Sequence, residues 1–215
     1  MRHVEIFDKD HFEKNYYRES PPPGLSHLID FFWQTKFDDL WQTFPKGFSD
    51  VLFPNIGYTY LINLGTPYIM QVGDRKFKMK GDGFLPRHKS IECFHQPGNT
   101  IFGIKFRISP IIFEKKINFA EYKESIFPLS YLLDKTIIEQ LKAAKSFRQR
   151  VDILINHYKA IMKRSDDSLR PLHIVSGILD SCICTNNYNL SITDMAKEHR
   201  ISTRTLQRYF ENTTS

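Results

Sequence analysis

The pattern of hydrophobic and polar residues divides the chain into a β-rich first part and a helical second part. From Leu25 onward, short stretches rich in aromatic and β-branched residues alternate with turn sequences such as Gly65-Thr66-Pro67. This alternation is typical of strands in an antiparallel sandwich or barrel. Residues 1–20, which are charged and precede a proline-rich break, are interpreted as an N-terminal strand or arm. The predicted strands are Ile29–Phe37, Thr59–Leu64, Tyr68–Val72, Arg75–Met79, Ser90–His95 and Ile101–Ile108.

The last of these strands shows the clearest alternation. Phe102, Ile104 and Phe106 fall on one face, while Lys105 and Arg107 fall on the other. Because successive side chains of a strand point to opposite faces, we predict that the aromatic and aliphatic face is the core face.

Helical spacing replaces alternation after Ser109-Pro110. A short apolar stripe at residues 137, 141 and 144 is followed by a longer one from residue 151 to residue 162. The polar stretch 165–168 is interpreted as a linker, and Pro171 then suits the first turn of another helix. We therefore predict a first unit at residues 1–165 and a second at residues 169–215. The predicted inward residues of the helix after Pro171 are Leu172, Val175, Leu179, Cys182 and Ile183.

Residues 190–215 predict two short helices joined by a tight turn. Ser191 is placed to cap the first helix, whose apolar face has the small residue Ala196 at its centre. Ser202 is placed to cap the second helix, and Leu206 to pack against the residue before that cap. A small residue between the helices allows them to cross closely.

The second of these helices has two unlike faces. Leu206 and Phe210 lie on an apolar face that we predict to be anchored. Guanidinium and amide groups on the opposite face suit the base edges of a DNA major groove. The residues of this polar face are Arg204, Gln207, Arg208 and Glu211.

The same segment closely resembles the first helix-turn-helix of the AraC family of transcription regulators. The resemblance is carried by the spacing of Ala196, Ser202, Leu206, Gln207, Arg208 and Phe210. It implies that bases are faced by Arg204, Gln207 and Arg208. It implies that Ser202, Thr203 and Thr205 lie near phosphates. The alternative is an amphipathic helical hairpin with a solvated basic face.

Two features depart from the family pattern. Arg200 stands in the turn where the family usually has glycine, and a left-handed backbone there costs a non-glycine residue roughly 1 kcal/mol. Either the turn has a different shape, or the cost is accepted for a phosphate contact. The family also carries a second helix-turn-helix, which this sequence does not contain. We interpret the chain as a truncated form with half of the usual reading surface.

The β-rich part has a second resemblance. The run from Phe32-Trp33 through PNIGYTYLINLG to GIKFRISP resembles the β-rich domain found ahead of the AraC-type motifs in some regulators. The resemblance implies a cupin-like domain that senses a small-molecule effector, followed by helices that commonly form the contact of a homodimer. The alternative for those helices is simple packing on the sheet.

Composition agrees with a folded, soluble protein. The chain has 215 residues, 41% of them apolar and 14% aromatic, which is enough for a packed core. A net charge of +6 favours an anionic partner, double-stranded DNA included, but is common in soluble proteins. Cys182 and Cys184 lie on a predicted helix among apolar neighbours, which favours buried free thiols and a reducing, cytoplasmic setting. We find neither a signal peptide nor an apolar run near the ~20 residues of a membrane span.

Catalytic and metal-binding patterns are weak. His88 and Glu92 would share one face of a strand while His95 would point to the other, so we expect no metal site, no cofactor and no enzyme activity. Aromatic residues of the β-rich part either line an effector pocket or fill the core, and none is assigned to effector binding. The residues considered are Trp33, Trp41, Tyr58, Tyr60 and Phe84.

Together these patterns predict an α+β protein: an N-terminal antiparallel β-sandwich or barrel of cupin-like type, then helices and a C-terminal helix-turn-helix. The predicted function is sequence-specific, effector-responsive transcription regulation of AraC type. The first alternative is a cupin-like small-molecule-binding or catalytic protein with a degenerate helical tail. A protein-interaction module is a further alternative.

Overall fold

The computed structural model describes residues 2–4, 9–54, 57–86, 89–110, 125–164 and 169–214. Within them, two β-sheets face each other across an apolar interior, and helices cover the outer face of one sheet. The predicted α+β class, an antiparallel β-sandwich followed by helices, is confirmed. The cupin-like character stays a prediction.

The two sheets are built from strands that are mostly short. Their bounds are β1 Arg2–Val4, β2 Tyr16–Glu19, β3 Ile29–Lys36, β4 Phe48–Leu52, β5 Tyr58–Asn63, β6 Tyr68–Val72, β7 Arg75–Met79, β8 Gly83–Pro86, β9 Ile91–Phe94, β10 Thr100–Phe106 and β11 Phe127–Pro128. The five-stranded sheet has the order β1-β4-β9-β6-β7, and the six-stranded sheet has the order β11-β8-β5-β10-β3-β2. Strand β1 runs parallel to β4, whereas the other pairs between described strands are antiparallel.

Every strand predicted from the alternation is present, β6 and β7 with the predicted ends. Strand β2 agrees with the interpretation of residues 1–20 as an N-terminal strand or arm. Strands β4, β8 and β11 were not predicted, because the serine, aspartate, glycine and proline in these segments are poor strand formers. Their neighbours in the sheets, and not their own composition, hold these segments extended.

Strand β10 is buried on both faces. Phe102, Ile104 and Phe106 point toward the helices, as predicted for the core face. The opposite face, which includes Lys105, was expected to lie outside the core, and this expectation is wrong. Ile101 belongs to the interior of the sandwich, and Lys105 is only 3% exposed. A strand in the middle of a sheet that is covered on both sides has no solvent face.

Most of the helices follow the sandwich in the sequence. Their bounds are α1 Lys9–Lys14, α2 Asp38–Thr43, α3 Lys135–Ala143, α4 Phe147–Arg164, α5 Arg170–Thr185, α6 Ile192–Glu198 and α7 Thr203–Thr214. Leu141 of α3 and Leu154 of α4 join one core with Phe102 and Phe106 of β10. Helices α3 and α4 therefore pack on the six-stranded sheet, while their part in a dimer contact stays a prediction.

Arg150 of α4 connects α3 and α4 to the six-stranded sheet through hydrogen bonds. It is 8% exposed, and its Nε donates to the carbonyl of Leu141 at 3.0 Å. One terminal nitrogen donates to the side-chain oxygen of Gln34 on β3 at 3.1 Å, and the other to the carbonyl of Ala144. The guanidinium therefore satisfies carbonyls left free at the end of α3, and burial lowers its pKa.

Helix α5 links the sandwich to the last two helices. Its Leu172 and Val175 join the core beneath the six-stranded sheet, as predicted. Ile183 is 63% exposed and Cys184 is exposed, so the predicted burial of these two is wrong. The cluster that α5 forms with the last two helices contains Ile174 and Ile178, with Cys182 packed against it, and includes neither Ile183 nor Cys184. The predicted linker at residues 165–168 lies outside the described residues, and the boundary between the two units stays a prediction.

Candidate nucleic-acid interface and interior cavity

The first helix of the predicted reading motif, α6, begins at the predicted cap. The hydroxyl of Ser191 accepts the backbone N–H of Asp194 at 3.1 Å and donates to its carboxylate at 2.6 Å. The carboxylate lies in the first turn, where the helix dipole favours negative charge. This short helix therefore has a defined start, and Ala196 at its centre is buried.

The turn after α6 keeps the left-handed backbone that the family pattern provides with glycine. Arg200 has a φ of 53°. Its N–H donates to the carbonyl of Lys197 at 3.1 Å, and the N–H of Ile201 donates to the carbonyl of Ala196 at 3.0 Å. These two bonds make a Schellman motif, in which a left-handed residue closes the end of a helix. Of the two shapes left open by the sequence, the structure has the left-handed one, with arginine bearing its strain.

The second helix of the motif, α7, is capped and anchored as predicted. The hydroxyl of Ser202 accepts the N–H of Thr205 at 3.1 Å, which satisfies a free donor of the first turn. Leu206 is fully buried and packs in one cluster with Ala196 and with Ile178 of α5. The orientation of α7 is therefore fixed by two other helices.

The predicted reading face of α7 is turned to solvent. Arg204, Gln207 and Arg208 are exposed on the side opposite Leu206. Of the predicted phosphate neighbours, Ser202 is exposed. Thr203 and Thr205 are half-buried, and the hydroxyl of Thr205 lies 2.8 Å from that of Ser202. The six predicted residues all lie in the first two turns of α7 or at its cap, and their roles stay predictions.

The far end of α7 contacts the β-sandwich, which the sequence analysis did not predict. The N–H of Ser109, just beyond β10, donates to the carbonyl of Thr213 at 2.6 Å, and Thr213 is fully buried. The neighbouring Arg107 forms an ion pair with Asp180 of α5. Residues more than seventy positions apart in sequence make these contacts, so no local pattern could have predicted them.

A pair of histidines lies in the same contact zone. The rings of His27 and His173 have centroids 4.3 Å apart. Burial, with smaller effects from His173 and Arg107, lowers the pKa of His27 to about 4. His27 is therefore neutral at neutral pH, and adding a proton there places a charge between two other basic groups.

An interior cavity lies between the two sheets of the sandwich. Its volume is about 200 Å³, and its walls are mainly aromatic and aliphatic. Trp33 forms one wall and fits only because its neighbour across the sheet is Gly103, where a Cβ atom would lie 2.3 Å from the indole ring. Other aromatic residues of the wall are Phe12, Tyr16, Phe31, Phe37, Phe53 and Tyr68.

Polar groups are also placed along this cavity. Lys105, Thr59 and Tyr68 line it and are 3%, 2% and 1% exposed. The Thr59 and Tyr68 hydroxyls have no hydrogen-bond partner among the described residues. Burial raises the pKa of Tyr68 well above its usual value, so this hydroxyl stays protonated.

Two histidines at the cavity are held by carboxylates. His95 Nε2 lies 2.7 Å from Asp50, and His11 Nδ1 lies 3.0 Å from Asp39. The ring of Phe37 stacks on His95 at 3.6 Å between centroids. These pairs fix the rings that form the polar rim of the cavity.

The candidate aromatic residues of the sequence analysis divide between the two cores. Trp33 lines the cavity. Trp41 packs beside the interior of the sandwich. Tyr58, Tyr60 and Phe84 belong to the core beneath the helices. Only the first is therefore placed to meet a ligand in this cavity.

The weak metal pattern is only partly described. His88 lies outside the described residues, Glu92 accepts the hydroxyl of Ser49 at 2.8 Å, and His95 contacts Asp50. Within the described ranges, His, Cys, Asp and Glu side chains form no group of three or more that could hold a metal ion. Over the same part of the chain, we find no helix with the length and apolar character that crossing a membrane requires.

Comparisons with known proteins give similarity at the level of solved structures. No protein-family model matches the chain, and no curated protein matches it. A structure of ToxT from Vibrio cholerae is similar over 92% of this chain and 74% of its own, with 11% identity and a TM-score of 0.40. A second ToxT structure, from Vibrio cholerae O395, has 12% identity over 92% of this chain and 72% of its own, with a TM-score of 0.38. The AraC-like transcriptional activator CuxR is similar over 94% of this chain and 82% of its own, with 10% identity and a TM-score of 0.32.

Proposed function

We propose that the chain is a transcription regulator of AraC type, which reads double-stranded DNA through α7 and senses a small molecule in its β-sandwich. The observation that carries the proposal is the exposed row of Arg204, Gln207 and Arg208 on a helix whose opposite face is buried. A recognition helix needs both properties, because its base contacts require a fixed orientation in the major groove.

The residues have distinct roles in this proposal. Arg204 and Arg208 lie one turn apart and suit the two acceptors of guanine, while Gln207 suits the donor and acceptor edge of adenine. Ser202, Thr203 and Thr205, at the start of the helix, contact phosphates and set its register. Arg200, exposed in the turn before the helix, adds a further positive charge to the motif.

The test is selection of bound sequences from a pool of random DNA duplexes, followed by titration of the selected and a scrambled duplex over a salt series. Arg208→Ala is expected to weaken the selected duplex by about 1 to 3 kcal/mol more than the scrambled one. Arg75→Ala, which removes an exposed arginine on β7 of the sandwich, is the matched control and should leave this difference unchanged.

Two results would count against parts of this proposal. Equal weakening of both duplexes by Arg208→Ala would mean that Arg208 contacts phosphate and does not read bases. Failure to bind any duplex at low salt would mean that this chain does not read DNA by itself.

A second function, ligand binding without DNA binding, is favoured by the cavity between the sheets. A ligand bound by a protein that fails the DNA test would support this alternative.

A further inference from the structure

The interior cavity has a polar end that is defined by strand register. Lys105 of β10 lies directly opposite Thr59 of β5 and Phe31 of β3. Directly paired residues of adjacent strands point to the same face, with Cβ atoms about 5 Å apart. All three line the cavity, so an ammonium and a hydroxyl lie side by side with an aromatic ring next to them.

The charge at this end is buried. Lys105 is 3% exposed, and an ammonium removed from water is costly unless anionic or strongly polar acceptors surround it. It has three N–H donors, so a ligand oxygen can be added to the contacts that the protein itself provides.

The hydroxyls at the cavity point to the same kind of ligand. Within the described part of the chain, neither Thr59 Oγ1 nor the Tyr68 hydroxyl has a hydrogen-bond partner, although both are at least nine-tenths buried. A buried hydroxyl without a partner costs about 1 to 3 kcal/mol, and a ligand that accepts its hydrogen removes that cost. Two O–H donors and an ammonium on the walls of one cavity suit an oxyanion.

The remaining walls limit the size and shape of the ligand. An apolar cavity of about 150 Å³ holds benzene, and this one measures about 200 Å³. Trp33 offers a flat surface against which a ring can pack. The space therefore suits a single ring with one small substituent, and one lysine suits a single negative charge.

We propose that the cavity binds a small aromatic carboxylic acid, whose carboxylate contacts Lys105 and Thr59 and whose ring packs against Trp33. The role of this acid as an effector rests on the proposed function, whereas its binding is measured without DNA. Binding of the acid and binding of DNA can therefore fail independently.

The probe is benzoate, compared with benzamide, which has nearly the same shape and no charge. Titration calorimetry and tryptophan fluorescence follow binding, since Trp33 lines the cavity. Benzoate is expected to bind at least about tenfold more tightly than benzamide to the unmodified chain, because a charge-assisted hydrogen bond is stronger than a neutral one. Equal affinity for the two, or no benzoate binding, would overturn the proposal.

Variants then locate the contact. Lys105→Met keeps most of the length of the side chain and removes its charge, and it should abolish the preference for benzoate. Lys78→Met, an exposed lysine of β7, is the matched control and should retain it. Preference retained in Lys105→Met would overturn the assignment. If Lys105→Met fails to fold, Thr59→Val provides the second test. Its affinity for benzoate is expected to fall several-fold. An unchanged affinity for benzoate in Thr59→Val would also count against the site.

Discussion

The two faces of the six-stranded sheet differ in how closely they are packed. On the helix side, Phe102, Ile104 and Phe106 pack without exposure against residues such as Tyr158 of α4. On the sandwich side, the same strand presents Gly103 to the Trp33 ring and Lys105 to the cavity. Because side chains alternate along β10, one face of the strand packs in a filled core and the other face borders a cavity with polar groups. Stability should depend mainly on the first face and ligand binding on the second.

The largest expected loss of stability comes from removing a buried ring on the helix side of the sheet. Phe106 is fully buried, and its ring lies 4.7 Å from that of Tyr60 and 5.6 Å from that of Tyr158 between centroids. Phe106→Ala should lower the free energy of unfolding by about 3 to 5 kcal/mol, measured by urea denaturation. Phe53→Ala, at a ring that is 62% exposed, is the control and should change it little. A loss below about 1 kcal/mol at Phe106 would show that this core is not close-packed.

A smaller loss is expected on the cavity side from Gly103→Ala. The new methyl group would lie 2.3 Å from the Trp33 ring, so the indole must move. We expect a loss of about 1 to 3 kcal/mol together with a shift in tryptophan fluorescence. Gly177→Ala in α5 is the matched control, since nothing lies within 4 Å of the position that its Cβ atom would take, and alanine there should stabilise the helix by up to about 1 kcal/mol. Equal behaviour of the two variants would contradict the role of Gly103 as space for Trp33.

The helix side also has a titrating contact, at His27. Its pKa of about 4 lies below the unfolded value of 6.5, so between these values the unfolded chain binds more protons than the folded one. The free energy of unfolding should therefore fall as pH is lowered from about 6.5 to about 4, and His27→Gln should make this fall shallower. Denaturation at several pH values measures both slopes. Identical slopes would mean that the environment of His27 does not favour its neutral form.

The smallest stability change is expected at the cavity hydroxyl of Tyr68. Tyr68→Phe removes a buried hydroxyl that has no partner among the described residues, so stability should change by less than about 1 kcal/mol. The matched control is Tyr58, on the helix side of the sheet. Its hydroxyl also has no hydrogen-bond partner among the described residues, and burial raises the pKa of Tyr58 to about 12. Tyr68→Phe should weaken benzoate binding and Tyr58→Phe should not. If both variants lose affinity for benzoate, the loss in Tyr68→Phe cannot be assigned to a contact in the cavity.

Local patterns predicted the parts of the molecule that depend on neighbours in sequence. Ser191 and Ser202 cap their helices as predicted, since a cap involves residues only three positions apart. Lys105 was misjudged because alternation shows two faces without showing that both are covered. Ile183 was misjudged because helical spacing does not reveal where the partner helices end. The contact between Ser109 and Thr213 depends on the tertiary fold alone.

The bond from Ser109 to Thr213 connects the strand of the proposed ligand site to α7, the proposed reading helix. Ser109 follows Lys105 by four residues, which span at most about 14 Å of chain. Its N–H is hydrogen-bonded to the last turn of α7. Suppose that a ligand at Lys105 changes the affinity of the protein for DNA by some factor. Thermodynamic linkage then requires bound DNA to change the affinity for that ligand by the same factor and in the same direction.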